Sequence, residues 1–161
     1  MSAMTRSTTS WFAFRGKGCS AISDMRAEIE VRYTLFGAEL LPDAITAATG
    51  LLPTRTWRKG DLVRPNLLRC HEESGWSIHS QVSESDDLIP HIDNVLQKLR
   101  GCWSKMVELG RQYEAELACI IYCYEAQAPA MHFEPGMLSE VAELNAAIDI
   151  DFYCLGERDG E

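Results

Sequence analysis

The chain has 161 residues, 46% of them hydrophobic and 24% charged, with 24 acidic against 15 basic side chains and a formal net charge of −9. This composition fits one globular domain and excludes a disordered or fibrous chain. The acidic surplus excludes nucleic acid as a general partner, because phosphate binding draws on a basic surface, and no window approaches the roughly 20 apolar residues that span a membrane.

Residues 1–24 carry Arg6, Arg15 and Lys17 with no acid before Asp24. They match a targeting peptide in charge only, since the continuous apolar run of a secretory signal is missing. The expected organisation is a peripheral or flexible extension over 1–24, a single α+β domain over 25–156 and a frayed tail over 157–161. Without an export signal the setting is cytoplasmic, and Cys19, Cys70, Cys102, Cys119, Cys123 and Cys154 stay reduced.

"AEIEVRYTLF" alternates, with Ile29, Val31, Tyr33 and Leu35 on one side and Glu28, Glu30, Arg32 and Thr34 on the other, which predicts a half-buried strand. "LPDAITAATG" places Pro42 in a first helical turn and Gly50 at a helix end, with Ile45 and Ala48 inward. A strand from Thr54 to Lys59, a Gly60-Asp61 turn, a polar loop and a second strand near Gly75 predict a long-looped hairpin.

From Asp86 to Leu109 apolar residues recur at helical spacing, which predicts one main helix capped by Ser85 or Asp86, weakened or bent at Gly101 and ended by Gly110. "YEAELACIIYCYEA" is apolar on both faces from Leu117 to Tyr124, as a central strand would be, with Cys119 and Cys123 on the same face as small hydrophobes. A brief strand near Met131 to Phe133, a helix with Leu138, Val141 and Leu144 inward, and a last alternating strand "AIDIDFYC" complete the order. The first six elements match the ferredoxin-like β-α-β-β-α-β arrangement, extended by β-α-β, with helices on one face of a mainly antiparallel sheet.

No nucleotide-binding glycine loop, nucleophile elbow or H-E-x-x-H is present. His71, His79, His91 and His132 are scattered, and no Cys/His quartet exists. The sequence therefore points to a non-enzymatic protein with no cofactor and no metal. Glu28 with Glu30 and Asp149 with Asp151 recur at i, i+2 on polar strand faces. They fit either a solvated sheet face or, combined with Glu114 and Glu116, an acidic docking surface anchored by Tyr153.

The opposite pole is "PTRTWRKGD" and its surroundings, where Arg55, Arg58, Lys59, Arg64 and Arg69 stand against Asp61. Either Trp57 is core and the cations pair with neighbouring carboxylates, or Arg55, Trp57, Lys59 and Trp76 line an anion or nucleotide site between the hairpin and the main helix.

Leu52-Pro53-Thr54, the Lys59-Gly60-Asp61 turn, Trp76 and the aspartate-alternating last strand make residues 27 to 155 resemble a family of small bacterial domains of unknown function. The resemblance implies a compact α+β fold and a bacterial cytoplasm, and it supplies no catalytic residues. Small acidic domains of this sort resemble immunity proteins that occlude a toxin. The expected function is therefore an interaction protein, with a basic toxin domain as partner for Glu28, Glu30, Asp149, Asp151 and Tyr153; the alternative is a small-ligand binding module.

Overall fold

The computed structural model describes residues 27–64, 68–82, 87–124 and 128–155. The expectations for residues 1–24, for Cys19, for the caps Ser85 and Asp86 and for the tail 157–161 lie outside these. The described elements run β1 (Glu28–Gly37), α1 (Pro42–Thr49), β2 (Arg55–Trp57), β3 (Ser74–His79), α2 (Leu88–Arg100), α3 (Trp103–Gln112), β4 (Glu114–Tyr124), α4 (Pro135–Glu143) and β5 (Ala146–Leu155). They build one five-stranded sheet in the order β2-β3-β1-β4-β5.

The four strands from β2 to β4 pair antiparallel. Since β2 is then parallel to β1 with β3 between them, β1-α1-β2 is a split β-α-β unit, and the expected ferredoxin-like α+β core is present. β5 pairs parallel with β4, which requires a crossover, and α4 provides it. The central position belongs to β1 rather than to the apolar β4, which is one place further out.

Alternation in β1 sets the two faces of the sheet. Val31, Tyr33 and Leu35 are fully buried on the helix side, where they meet Trp76 and Ile78 of β3 and Ala115, Leu117 and Cys119 of β4. Helix α2 lays Leu88, Ile92, Val95, Leu96 and Leu99 on this layer, the i, i+3, i+4 stripe of an amphipathic helix. Trp76 donates its indole N–H to Thr46 Oγ1 at 3.1 Å, and so fastens β3 to α1 while satisfying its own buried donor. Gly50 closes α1 at φ 71°, its N–H on Thr46 O.

The main helix is not continuous. At Cys102 the backbone leaves helical geometry (φ −137°, ψ 35°), and the separate helix α3 that follows buries Met106, Val107, Leu109 and Gly110. Gly110 does not end a helix; it lies inside α3, where a Cβ would stand 2.0 Å from the Leu144 carbonyl oxygen. Its own carbonyl accepts a bond from Asn145 Nδ2 at 2.8 Å, and Asn145 turns the chain at φ 54°. α3 and the α4–β5 corner thus touch backbone to backbone, which only a glycine permits.

Other local expectations shift by a residue or disappear. Ala48 is exposed while Ile45 is buried. In α4 the inward residues are Met137, Val141 and Leu144, and Leu138 is left 42% exposed. Residues 131–133 form no strand, although Phe133 packs against the core from irregular backbone.

Gly110→Ala should cost about 1–3 kcal/mol in urea denaturation, because the close approach cannot relax without moving backbone. Gly101→Ala is the control: its nearest neighbour would be Lys98 O at 3.9 Å, and a better helix former there should leave stability equal or slightly raised.

Candidate functional site

Every described helix buries its apolar stripe on one side of the sheet, so no described helix covers the opposite face. On that face the registers align residues in rungs across β1, β4 and β5. They are Glu28, Tyr122 and Tyr153; then Glu30, Ile120 and Asp151; then Arg32, Ala118 and Asp149; then Thr34, Glu116 and Ala147. The carboxylates Glu28, Glu30, Asp149 and Asp151, with Tyr153, therefore share one surface.

Tyr153 stacks on Tyr122, with ring centroids 5.1 Å apart and planes 21° from parallel. Tyr153 is 46% exposed, and Asp149 and Asp151 are exposed beside it. The result is an aromatic pair bordered by carboxylates. Tyr122 was hidden in the sequence by the apolar run around it; its phase, in step with Glu116, is the signal that places it on this face.

Glu30 and Glu116 share the face but are opposite in electrostatics. His79 Nδ1 lies 3.1 Å from Glu30 Oε1, and this hydrogen bond, helped by Arg32, holds the Glu30 carboxyl below its ordinary value against the effect of burial. Burial raises Glu116, and the negative charges of Asp149 and Asp151 raise it further.

Toward β2 the same face gathers arginines. The connection from β2 to β3 folds back over the sheet, held by Gly60 N–H on His71 O, His71 N–H on Asp61 O and Val63 N–H on Arg69 O. Gly60 turns the chain at φ 92°, and Asp61 Oδ2 accepts the Arg58 N–H at 2.7 Å, so the expected Gly60-Asp61 turn is the hinge of this fold-back. Between the connection and the sheet is a cleft of about 560 Å³ whose walls include Arg32, Arg55, Arg64, Arg69, His71 and His79 together with the carboxylates of Glu72, Glu73 and Glu116. The hydroxyls of Thr34 and Ser77, 2.9 Å apart, meet at its floor.

Trp57 forms one wall and is enclosed itself. It lies on the bare backbone of Gly75, where a Cβ would stand 2.1 Å from the ring, and His71 stacks on it at 4.9 Å. The Arg55 guanidinium is 5.4 Å from the ring centroid. The half-buried indole therefore packs while its free side forms part of the cleft wall beside the neighbouring cation Arg55. His71 Nε2 is buried with no hydrogen-bond partner among the described residues, and burial together with Arg55 keeps the imidazole below its ordinary value and hence neutral at pH 7.

The structure divides the four residues expected to hold a ligand. Arg55 and Trp57 line the cleft. Trp76 is fully buried on the other side of the sheet, and Lys59 is exposed in the turn with its backbone N–H on Ser74 Oγ. The cavity is consequently on the helix-free face, not between the hairpin and α2. Arg58 is taken up by Asp43 of α1, at 2.5 Å. Among the described residues no group of three or more His, Cys, Asp or Glu is placed to hold a metal ion, and no helix is long and apolar enough to cross a membrane.

A family model for a domain of unknown function (DUF4279) matches residues 27–155, and the chain belongs to that family. No curated protein and no solved structure matches.

The two glutamates should respond oppositely to neutralisation. A carboxyl held low in the fold stabilises above its unfolded value near 4.5 and loses that contribution as pH falls. Glu30→Gln should therefore destabilise at pH 7, by less than about 1 kcal/mol given its exposure, with the difference closing toward pH 3. A carboxyl held high costs stability once ionised, so Glu116→Gln should stabilise at pH 7 and be neutral at pH 3. Chemical denaturation at the two pH values reads both signs.

Proposed function

We propose that this DUF4279 member is a non-enzymatic interaction protein that works through the helix-free face of its sheet, as an immunity protein does when it occludes a toxin. The observation that carries this reading is the in-register rung Glu28, Tyr122 and Tyr153 beside Asp151 and Asp149. Stacked aromatics supply the desolvated contact that dominates affinity at protein interfaces, while surrounding charges govern encounter rate and choice of partner. The partner this chemistry fits is a protein domain with a basic surface. In the cell such an inhibitor is cytoplasmic and bacterial, and its partner is the product of a neighbouring gene.

Co-expression of the chain with that gene product tests the idea. Growth should be protected, and the two proteins should co-purify. Replacing Glu28 and Glu30 by Gln and Asp149 and Asp151 by Asn together should slow association and flatten its dependence on salt. Tyr153→Ala should weaken binding by about 2 kcal/mol, roughly 30-fold. Protection that is absent, or binding indifferent to both changes, would overturn the proposal.

The arginine-bearing cleft favours a second reading, that of a module for a small organic anion or nucleotide. Its support is the convergence of Arg32, Arg55, Arg64 and Arg69 on one cavity, which suits the bidentate donors of guanidinium to carboxylate or phosphate. Phosphates, nucleotides and organic acids should then raise the Tm of the wild type. Arg55→Ala should remove the shift and Lys59→Ala should not. A wild type that none of these ligands stabilises excludes this reading.

A further inference from the structure

Of the described cysteines, Cys70 and Cys154 are exposed, Cys102 is half-buried, and Cys119 and Cys123 are buried. Three of them fall on the β4–β5 pair. The parallel register sets Cys123 directly opposite Cys154 in its second-to-last position, and both side chains project to the helix side of the sheet, since Ile121, two residues before Cys123, is in the core. Cys119 is on the same face but opposite Ile150, two rungs away.

Neighbouring strands run about 4.8 Å apart, which is within the Cα separation of about 4.4–6.8 Å that a disulfide spans. Opposed residues of the same facing direction therefore need only side-chain rotation and a slight local approach. The position makes that approach easy, because β5 is an edge strand close to the end of its pairing with β4. The two thiols also differ in access: Cys154 can be reached from solvent, whereas Cys123 is 1% exposed.

We propose that Cys123 and Cys154 form a reversible redox pair, in which Cys154 is oxidised first by hydrogen peroxide and Cys123 resolves it to an intramolecular disulfide. The Cys154 sulfur, as thiolate, attacks one peroxide oxygen. The O–O bond breaks, and the departing hydroxide takes up the thiol's proton as water, leaving a sulfenic acid. The Cys123 sulfur then attacks the sulfenic sulfur, the S–O bond breaks, and a second water leaves with the Cys123 proton. The two thiols lose two electrons in all, and one peroxide is reduced to two waters.

The same environment explains why the order is not reversed. Burial raises the Cys123 thiol above its ordinary value, and the neighbouring Cys154 sulfur raises it further, so Cys123 is a poor first nucleophile. Cys119 is pushed up to about 12, chiefly by burial, and stays out of the chemistry. A bridge made across adjacent strands is more strained than one joining loops, which favours its reduction by ordinary thiols. The pair is adjacent in register to Tyr122 and Tyr153, so oxidation would tie together the strand ends that carry the stacked tyrosines. The redox proposal does not depend on what that face binds.

The test treats the full chain with an equimolar amount of hydrogen peroxide and maps it without reduction after cleavage at glutamates. That cleavage separates a peptide carrying Cys119 and Cys123 from one carrying Cys154, and fragmentation assigns the linked sulfur. A Cys123–Cys154 link, lost in Cys154→Ser, retained in Cys70→Ser and Cys119→Ala, and reversed by dithiothreitol, is the expected result. Three outcomes would overturn the proposal: a link from Cys154 to Cys119, a link between chains, or Cys154 advanced to sulfinic acid while Cys123 remains a free thiol. Cys154 is exposed, so its serine variant keeps the fold, and near-ultraviolet circular dichroism verifies this.

Discussion

A sheet covered by helices on one side only must present its other side to water, and the side chains there must satisfy one another or a partner. In this protein that asymmetry begins with the alternation of β1. Val31, Tyr33 and Leu35 commit one face to the core, and the period of two then commits Glu28, Glu30, Arg32 and Thr34 to the other. Because β1 is the middle strand, its choice of face is imposed on β3 and β4 through pairing, and through β4 on β5. A slip of one residue would bury two glutamates and an arginine beneath α2.

The face that no described helix covers is divided rather than uniform. At the β2 end, Gly75 yields its side-chain space to Trp57, and His71 stacks on the indole from the folded-back connection. This packing makes the described parts of the connection a cleft wall and brings arginines of the connection, Arg64 and Arg69, toward Arg32 and Arg55 of the sheet. At the β5 end no segment folds back among the described residues, and carboxylates surround two stacked tyrosines. Glu116 lies between the two regions, and burial with the charges of Asp149 and Asp151 raises its carboxyl above the ordinary value while Arg32 draws it back.

Local pattern was enough to read most of the fold. Alternation marked β1 and β5, Pro42 and Gly50 bounded α1, and the element order led to the ferredoxin-like core. What failed depended on tertiary geometry. Gly101 marked the weak point of the main helix, but a lone glycine is tolerated within helices, so the full break at Cys102 could not be read from it. Leu138 and Met137 are equally apolar, and only the contact of Val141 and Leu144 with the core decides which turns inward. Trp57 and Trp76 could not be told apart by composition; one is held by a hydroxyl on α1 and the other by a glycine on β3, partners 30 and 18 residues distant in the chain. The acidic strip was legible because it follows strand phase, whereas the arginine-bearing cleft requires a loop to return across the sheet.

The central place of β1 also has a kinetic side. As the chain emerges from the ribosome, its first described strand has two edges to satisfy, and β3 can satisfy only one of them. The second edge stays open until the whole of α2, α3 and β4 has been made. Such non-local pairing slows folding, and an open edge beside Val31, Tyr33 and Leu35 is a template for pairing with another nascent chain. The alternating charges of β1, Glu28, Glu30 and Arg32, then act before any native function exists, keeping the waiting strand from joining a neighbour of its own kind.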